Sequence, residues 1–180
     1  MELIDRITGF FNAIGLPCRS GEITEATFLP GITIEHGSLV FDPGKLTYPG
    51  DLLHEAGHLA VMPPERRRRA HQTVGKFAAE ELGAITWSYA AAVHLLIDPA
   101  VVFHPDGYRG GSQSLIDNFA KGRFIGVPLL QWLGMTADAK TAADMGGSPY
   151  PVMLKWINEG PNGIFPKPKP AVAPGGGLVC

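Results

Sequence analysis

Cysteine is almost missing from this chain. Cys18 and Cys180 are the only two in 180 residues, too few for a disulfide framework, and no pairing between them is expected because Cys180 closes a Pro/Gly-rich stretch. Charge of one sign is also scarce. Fifteen Lys and Arg against 17 Asp and Glu leave a net −2, which gives no field to gather nucleic acid or an anionic membrane. No apolar run approaches the roughly 20 residues of a membrane span. The opening Met1-Glu2-Leu3-Ile4-Asp5-Arg6 lacks the basic start and apolar block of a secretory leader, so the expected location is the cytoplasm. What is present in quantity is apolar side chain, 45% of residues, enough for the core of one domain. That domain is expected over residues 1–160. Residues 161–180, with Pro-Lys-Pro-Lys-Pro and Gly-Gly-Gly, read as an extended tail.

The hydrophobic pattern predicts an α+β domain, mainly helical, with a small β-hairpin. Leu3, Ile4, Ile7, Phe10, Phe11 and Ile14 recur at helical spacing until Gly15-Leu16-Pro17 stops them. Ile32–Glu35 and Ser38–Phe41 are short β-type runs around His36-Gly37 and read as a hairpin. A helix starting near Pro49 and Asp51 should run to about Val61 and end before Met62-Pro63-Pro64. Glu65-Arg66-Arg67-Arg68-Arg69 reads as a solvated loop or helix face. Val74 to Ile97 is apolar nearly all round, as a central buried helix would be. Phe103–Gly111 reads as a loop, and short helices are expected over Ser112–Ala120, Val127–Leu133 and Pro151–Ile157. Trp87, Trp132 and Trp156 are expected as core anchors.

Chemistry concentrates in His54-Glu55-Ala56-Gly57-His58. Imidazoles four residues apart stand one above the other on a helix and can grip one ion, and the intervening glutamate lies where it can deprotonate a bound water. With 6 His and 9 Glu in 180 residues, this H-E-x-x-H pattern arises by chance only ~0.01 times. The plain alternative, a surface helix with three polar residues, fits poorly with the apolar Leu52, Leu53, Ala56, Leu59 and Ala60 around them.

A hydrolytic zinc takes three protein ligands and keeps one position for water. Glu80 and Glu81 on the long helix are the candidates for the third, since an acid inside such a segment needs a partner. Glu81 shares a face with Phe77, Ala84, Ile85 and Ser88. Glu80 lies one turn from Lys76, an ion pair that would turn it to solvent. Glu81 is therefore preferred, with Glu80 as the alternate and expected to pair with Arg or Lys. A solvated acid pair at the helix start is the plain reading of both. Tyr89, Tyr108, His104 and Arg109 are candidate oxyanion donors. His94, about 20 Å along the helix from Glu81, is a poorer one, and His36 and His71 read as surface or turn residues.

The motif followed by a glutamate on a second helix resembles the gluzincin branch of the zincin metallopeptidases, over roughly Ile32 to Ala92. The resemblance implies a zincin-like domain whose edge strand flanks the active-site helix. It implies Zn²⁺ held by His54, His58 and Glu81, Glu55 as general base, and a peptide or protein substrate cleaved by metal-activated water. The chain departs from that pattern at Ile85 (Ala84 counted from Glu80), where gluzincins carry an aspartate that orients a histidine. Another acceptor, such as a backbone carbonyl, must then do so. Two rival readings differ in class: a metal-stabilised interaction domain without catalysis, and a deformylase-like amide hydrolase in which Cys18 is the third ligand.

Overall fold

In the computed structural model, which describes residues 2–72, 74 and 77–160, the first amphipathic pattern forms α1 (Glu2–Ala13), burying Ile7, Phe10 and Phe11. The chain then enters a sheet of β1 (Cys18–Ser20), β2 (Ile32–Glu35) and β3 (Ser38–Phe41), in the order β1-β3-β2. The predicted hairpin is there, with Ile34 opposite Leu39 and Glu35 opposite Ser38. His36 and Gly37 make the two-residue turn at φ 49° and 81°, the left-handed pair that matches strand twist. β1 pairs parallel to β3. Its three residues are too short and too exposed for alternation to reveal.

The rest of the described chain is helical: α2 (Asp51–Val61), α3 (Pro64–Arg69), α4 (Ala78–His94), α5 (Pro99–Val102), a 3₁₀ turn (Tyr108–Gly110), α6 (Ser112–Ala120), α7 (Val127–Trp132) and α8 (Ala139–Asp144). The described residues are thus α+β, eight α-helices and a small mixed sheet. None of these helices is long and apolar enough to cross a membrane.

α4 is the central element and packs against α2, α5 and α7. Trp87, Ala90, Ala91 and Ala92 on it are wholly buried, as a helix apolar all round requires. It is shorter than predicted. Phe77 is still extended (φ −103°, ψ 113°), and Leu96 at φ 54° closes the far end. Thr73, Gly75 and Lys76 lie outside the described residues, and with them the predicted Lys76–Glu80 pair. The predicted helix over Pro151–Ile157 is instead a run of turns. Its backbone donors leave the segment, Leu154 N to Met135 O at 2.8 Å and Asn158 N to Ala60 O at 2.8 Å, so no local helical ladder forms.

Two further expectations fail on packing. Trp132 is 70% exposed rather than a core anchor. The arginine run is helical but not simply solvated. Arg66 pairs with Glu80 and lies over the Phe77 ring at 4.6 Å, and Arg67 donates to Asn158 O at 2.6 Å. α5 and α8, which the sequence analysis did not predict, carry aspartate caps: Asp98 accepts from Ala100 N and Asp138 from Thr141 N.

Candidate metal centre

α2 carries the motif because its other side is apolar. Leu52, Leu53, Ala56, Leu59 and Ala60 are fully buried, which fixes the helix's rotation and turns His54, Glu55 and His58 toward the start of α4. Gly57 lets the two helices close. A Cβ there would stand 2.8 Å from Ala84 O and 3.0 Å from Ala84 Cα, so any larger residue would wedge α2 away from α4.

That approach brings three side chains together. His54 Nε2 lies 3.2 Å from His58 Nε2. Glu81 places one carboxylate oxygen 3.6 Å from His54 Nε2 and the other 3.2 Å from His58 Nε2. Donors bonded to a tetrahedral zinc at about 2.1 Å stand about 3.4 Å apart, and all three separations sit at that edge length. Glu55 also has an oxygen within the His54–Glu55–His58 cluster, whose donor atoms fall within 4.8 Å of one another. The residues present therefore fit a small divalent cation. Glu80 faces the other way and grips Arg66, the fate expected for whichever acid did not join the histidines. The side chains of His54 and His58 are nearly buried while Glu81 is half exposed, so the cluster opens to solvent on the α4 side.

The electrostatics distinguish the two acids. Burial pushes the Glu55 carboxyl above its usual range, helped by the charges of Glu81 and Asp51 and opposed by His58. The hydrogen bond with His58 holds Glu81 below that range, against its partial burial. His54 is lowered to about 4, by burial first and then by His58, with Glu81 opposing, so its imidazole is neutral near pH 7. A neutral imidazole is the form that ligates metal.

The departure at Ile85 calls for another acceptor, such as a backbone carbonyl, to orient an imidazole through its second nitrogen. His54 Nδ1 is buried with no such partner among the described residues. The ring is held by packing instead, edge-on to the rings of His58 at 4.8 Å and Tyr108 at 5.5 Å.

Of the candidate oxyanion donors, Tyr108 alone is shown against the motif's rings. Its hydroxyl is buried without a hydrogen-bond partner among the described residues, and burial raises its pKa, so it remains a protonated donor. Its backbone and that of Arg109 both sit at φ 53°, a sparsely populated conformation for such residues. Tyr89 is misplaced for the task. It stacks on Phe119 at 4.2 Å, about 12 Å along α4 from Glu81. Arg109 is exposed, and His94 packs on Phe10 and Trp156.

His104 belongs to a network the sequence did not suggest. Its Nε2 bonds Asp51 Oδ1 at 3.0 Å, its ring stacks on Tyr48 at 3.7 Å, and Tyr48 donates to Asp106. In the sequence Asp51 marks only the start of α2. Its place one turn before Glu55, on the same helix face, was the available signal.

Cys18 takes no part in the cluster. It sits on β1 beside Leu39 of β3, and burial pushes its thiol up to about 11, away from the thiolate a metal needs. Cys180 lies outside the described residues. No family model, no curated protein and no solved structure matches the chain.

Proposed function

We propose that this chain is a zinc-dependent hydrolase with a zincin-like catalytic domain, acting on peptide bonds. One observation carries the reading: two imidazole nitrogens and a carboxylate converge at 3.2–3.6 Å, with a second, partly buried carboxylate beside them. His54, His58 and Glu81 would hold the ion. Zinc there would supply a Lewis acid and a water of pKa about 7. Glu55 takes the proton from water and passes it to the departing amine. Its raised pKa brings it toward the range where a carboxylate both accepts and returns a proton. The Tyr108 hydroxyl, protonated and without a partner among the described residues, donates to the oxygen that gains charge. His104 and Asp51 fix the loop that carries Tyr108, since Ser112 Oγ also bonds His104 O at 2.6 Å.

The deformylase-like reading loses its support with Cys18 away from the cluster. The non-catalytic interaction domain makes a different prediction from ours at one residue. Purified wild type should carry about one zinc per chain by elemental analysis. Glu81→Ala should lose most of it, and Glu80→Ala should keep it. Glu55→Gln should keep zinc yet lose turnover of a peptide library by roughly 10²–10⁴-fold. Zinc retained in Glu81→Ala, or turnover unaffected in Glu55→Gln, would overturn the proposal.

A further inference from the structure

The end of α2, α3 and the residues leading into α4 line an open concavity of about 240 Å³ whose lining includes Met62, Arg66, Arg69, His71 and Phe77. Two of its lining residues sit one turn beyond the centre, Met62 at the end of α2 and Phe77 just before α4. Met62 N donates to His58 O at 3.2 Å, and Glu81 N donates to Phe77 O at 3.0 Å. Its apolar walls are thus each one helical turn, about 5 Å, from a residue of the cluster. The volume is below the roughly 300–1,000 Å³ of small-molecule pockets and suits one side chain.

Its cations are not equivalent. Arg66 is committed to Glu80 and to the face of Phe77. His71 stacks on His36 at 4.9 Å. Arg69 is exposed and, among the described residues, pairs with no carboxylate. An arginine without a carboxylate partner among the described residues, lining the same concavity as Met62 and Phe77, matches a carboxylate carried on a short apolar stem. We propose that this concavity is a specificity subsite in which Arg69 binds a carboxylate of the peptide substrate. The ligand is an Asp or Glu side chain or the peptide's terminal carboxylate. This inference rests on the hydrolase reading for the meaning of the site, but its binding step is independent of turnover.

The test uses zinc-loaded Glu55→Gln protein, which cannot consume its ligand, and fluorescein-labelled hexapeptides. Pairs differ only by Glu against Gln at one position, or by a free against an amidated C-terminus. Fluorescence anisotropy should show the carboxylate peptide binding about tenfold tighter. Adding Arg69→Gln should erase that preference, and Arg69→Glu should turn it toward a Lys peptide. The amidated arm identifies which carboxylate is read. Equal binding within every pair, or a preference that survives Arg69→Gln in a protein of unchanged Tm, would overturn the subsite. Zinc-dependent hydrolysis indifferent to carboxylates would sink the subsite alone. Carboxylate preference through Arg69 without metal or hydrolysis would sink the hydrolase reading and leave the subsite standing.

Discussion

Glu55 and Glu81 are carboxylates beside the same two imidazoles, yet their surroundings drive them apart. Glu55 sits on the buried helix and is pushed toward its neutral form, whereas Glu81 is stabilised as an anion by the imidazole it meets. Two acids with divergent proton affinities in one cluster are the pattern of divided roles. His54 adds a pH signature to the protein without metal. Its folded value of about 4 lies below the ordinary 6.5. Between those values the unfolded chain binds a proton that the folded chain does not, so stability falls as pH drops from about 6.5 toward 4. Glu81, depressed, loses its contribution in the same direction as it is protonated. Glu55, raised, works oppositely, costing stability as pH rises above its ordinary range. Thermal unfolding in EDTA across pH 4–7 should show wild type losing Tm on acidification, and His54→Gln losing clearly less. Identical slopes would mean that His54 stays accessible to protons in the folded state.

At the scale of elements, the α2–α4 contact decides whether the donors converge. α2 alone presents two histidines one turn apart, and α4 alone presents adjacent acids. Only the closeness allowed at Gly57 against Ala84 brings Glu81 within 3.6 Å of both rings. Gly57→Ala adds a methyl carbon that would stand only 2.8 Å from Ala84 O. It should cost about 1–3 kcal/mol of stability by overpacking, in spite of alanine's better helix propensity. It should also weaken zinc binding, because the strain is relieved by moving the helix that carries Glu81. Chemical denaturation and competition with a zinc chelator read the two effects separately. Stabilisation by Gly57→Ala with zinc affinity intact would show that the helices have slack there.

For the whole molecule, the cluster bridges the motif helix to the central helix, and a metal bound there would tie the two together. An ion that binds only the folded state stabilises it by mass action, about 2.7 kcal/mol at a free concentration 100 times Kd. Adding Zn²⁺ to EDTA-treated wild type should therefore raise Tm by several degrees, on the order of 2–4 °C per kcal/mol for a domain of this size. Glu81→Ala should show little of that rise. The same bridge explains why the chain's last described turns matter. Asn158 is buried and donates to Val61 O at 2.9 Å while Trp87 donates to Trp156 O at 2.8 Å, so this segment clamps the end of α2 against α4.

The sequence by itself determined the helices with a clean apolar period, the hairpin about His36-Gly37, and the spacing of His54, Glu55 and His58, because these depend on neighbours within a few residues. It also narrowed the acid that could join the two histidines to two adjacent glutamates. Tertiary structure separated them, since a partner fourteen residues away, Arg66, took Glu80 and left Glu81 beside the histidines. Tertiary structure likewise turned Pro151–Ile157 from helix to turns, exposed Trp132, drew Tyr89 into an aromatic stack, and joined Asp51 to His104 across 53 residues. Each of those outcomes depends on which distant surface claims a donor, a ring or a charge, and local periodicity carries no record of that competition.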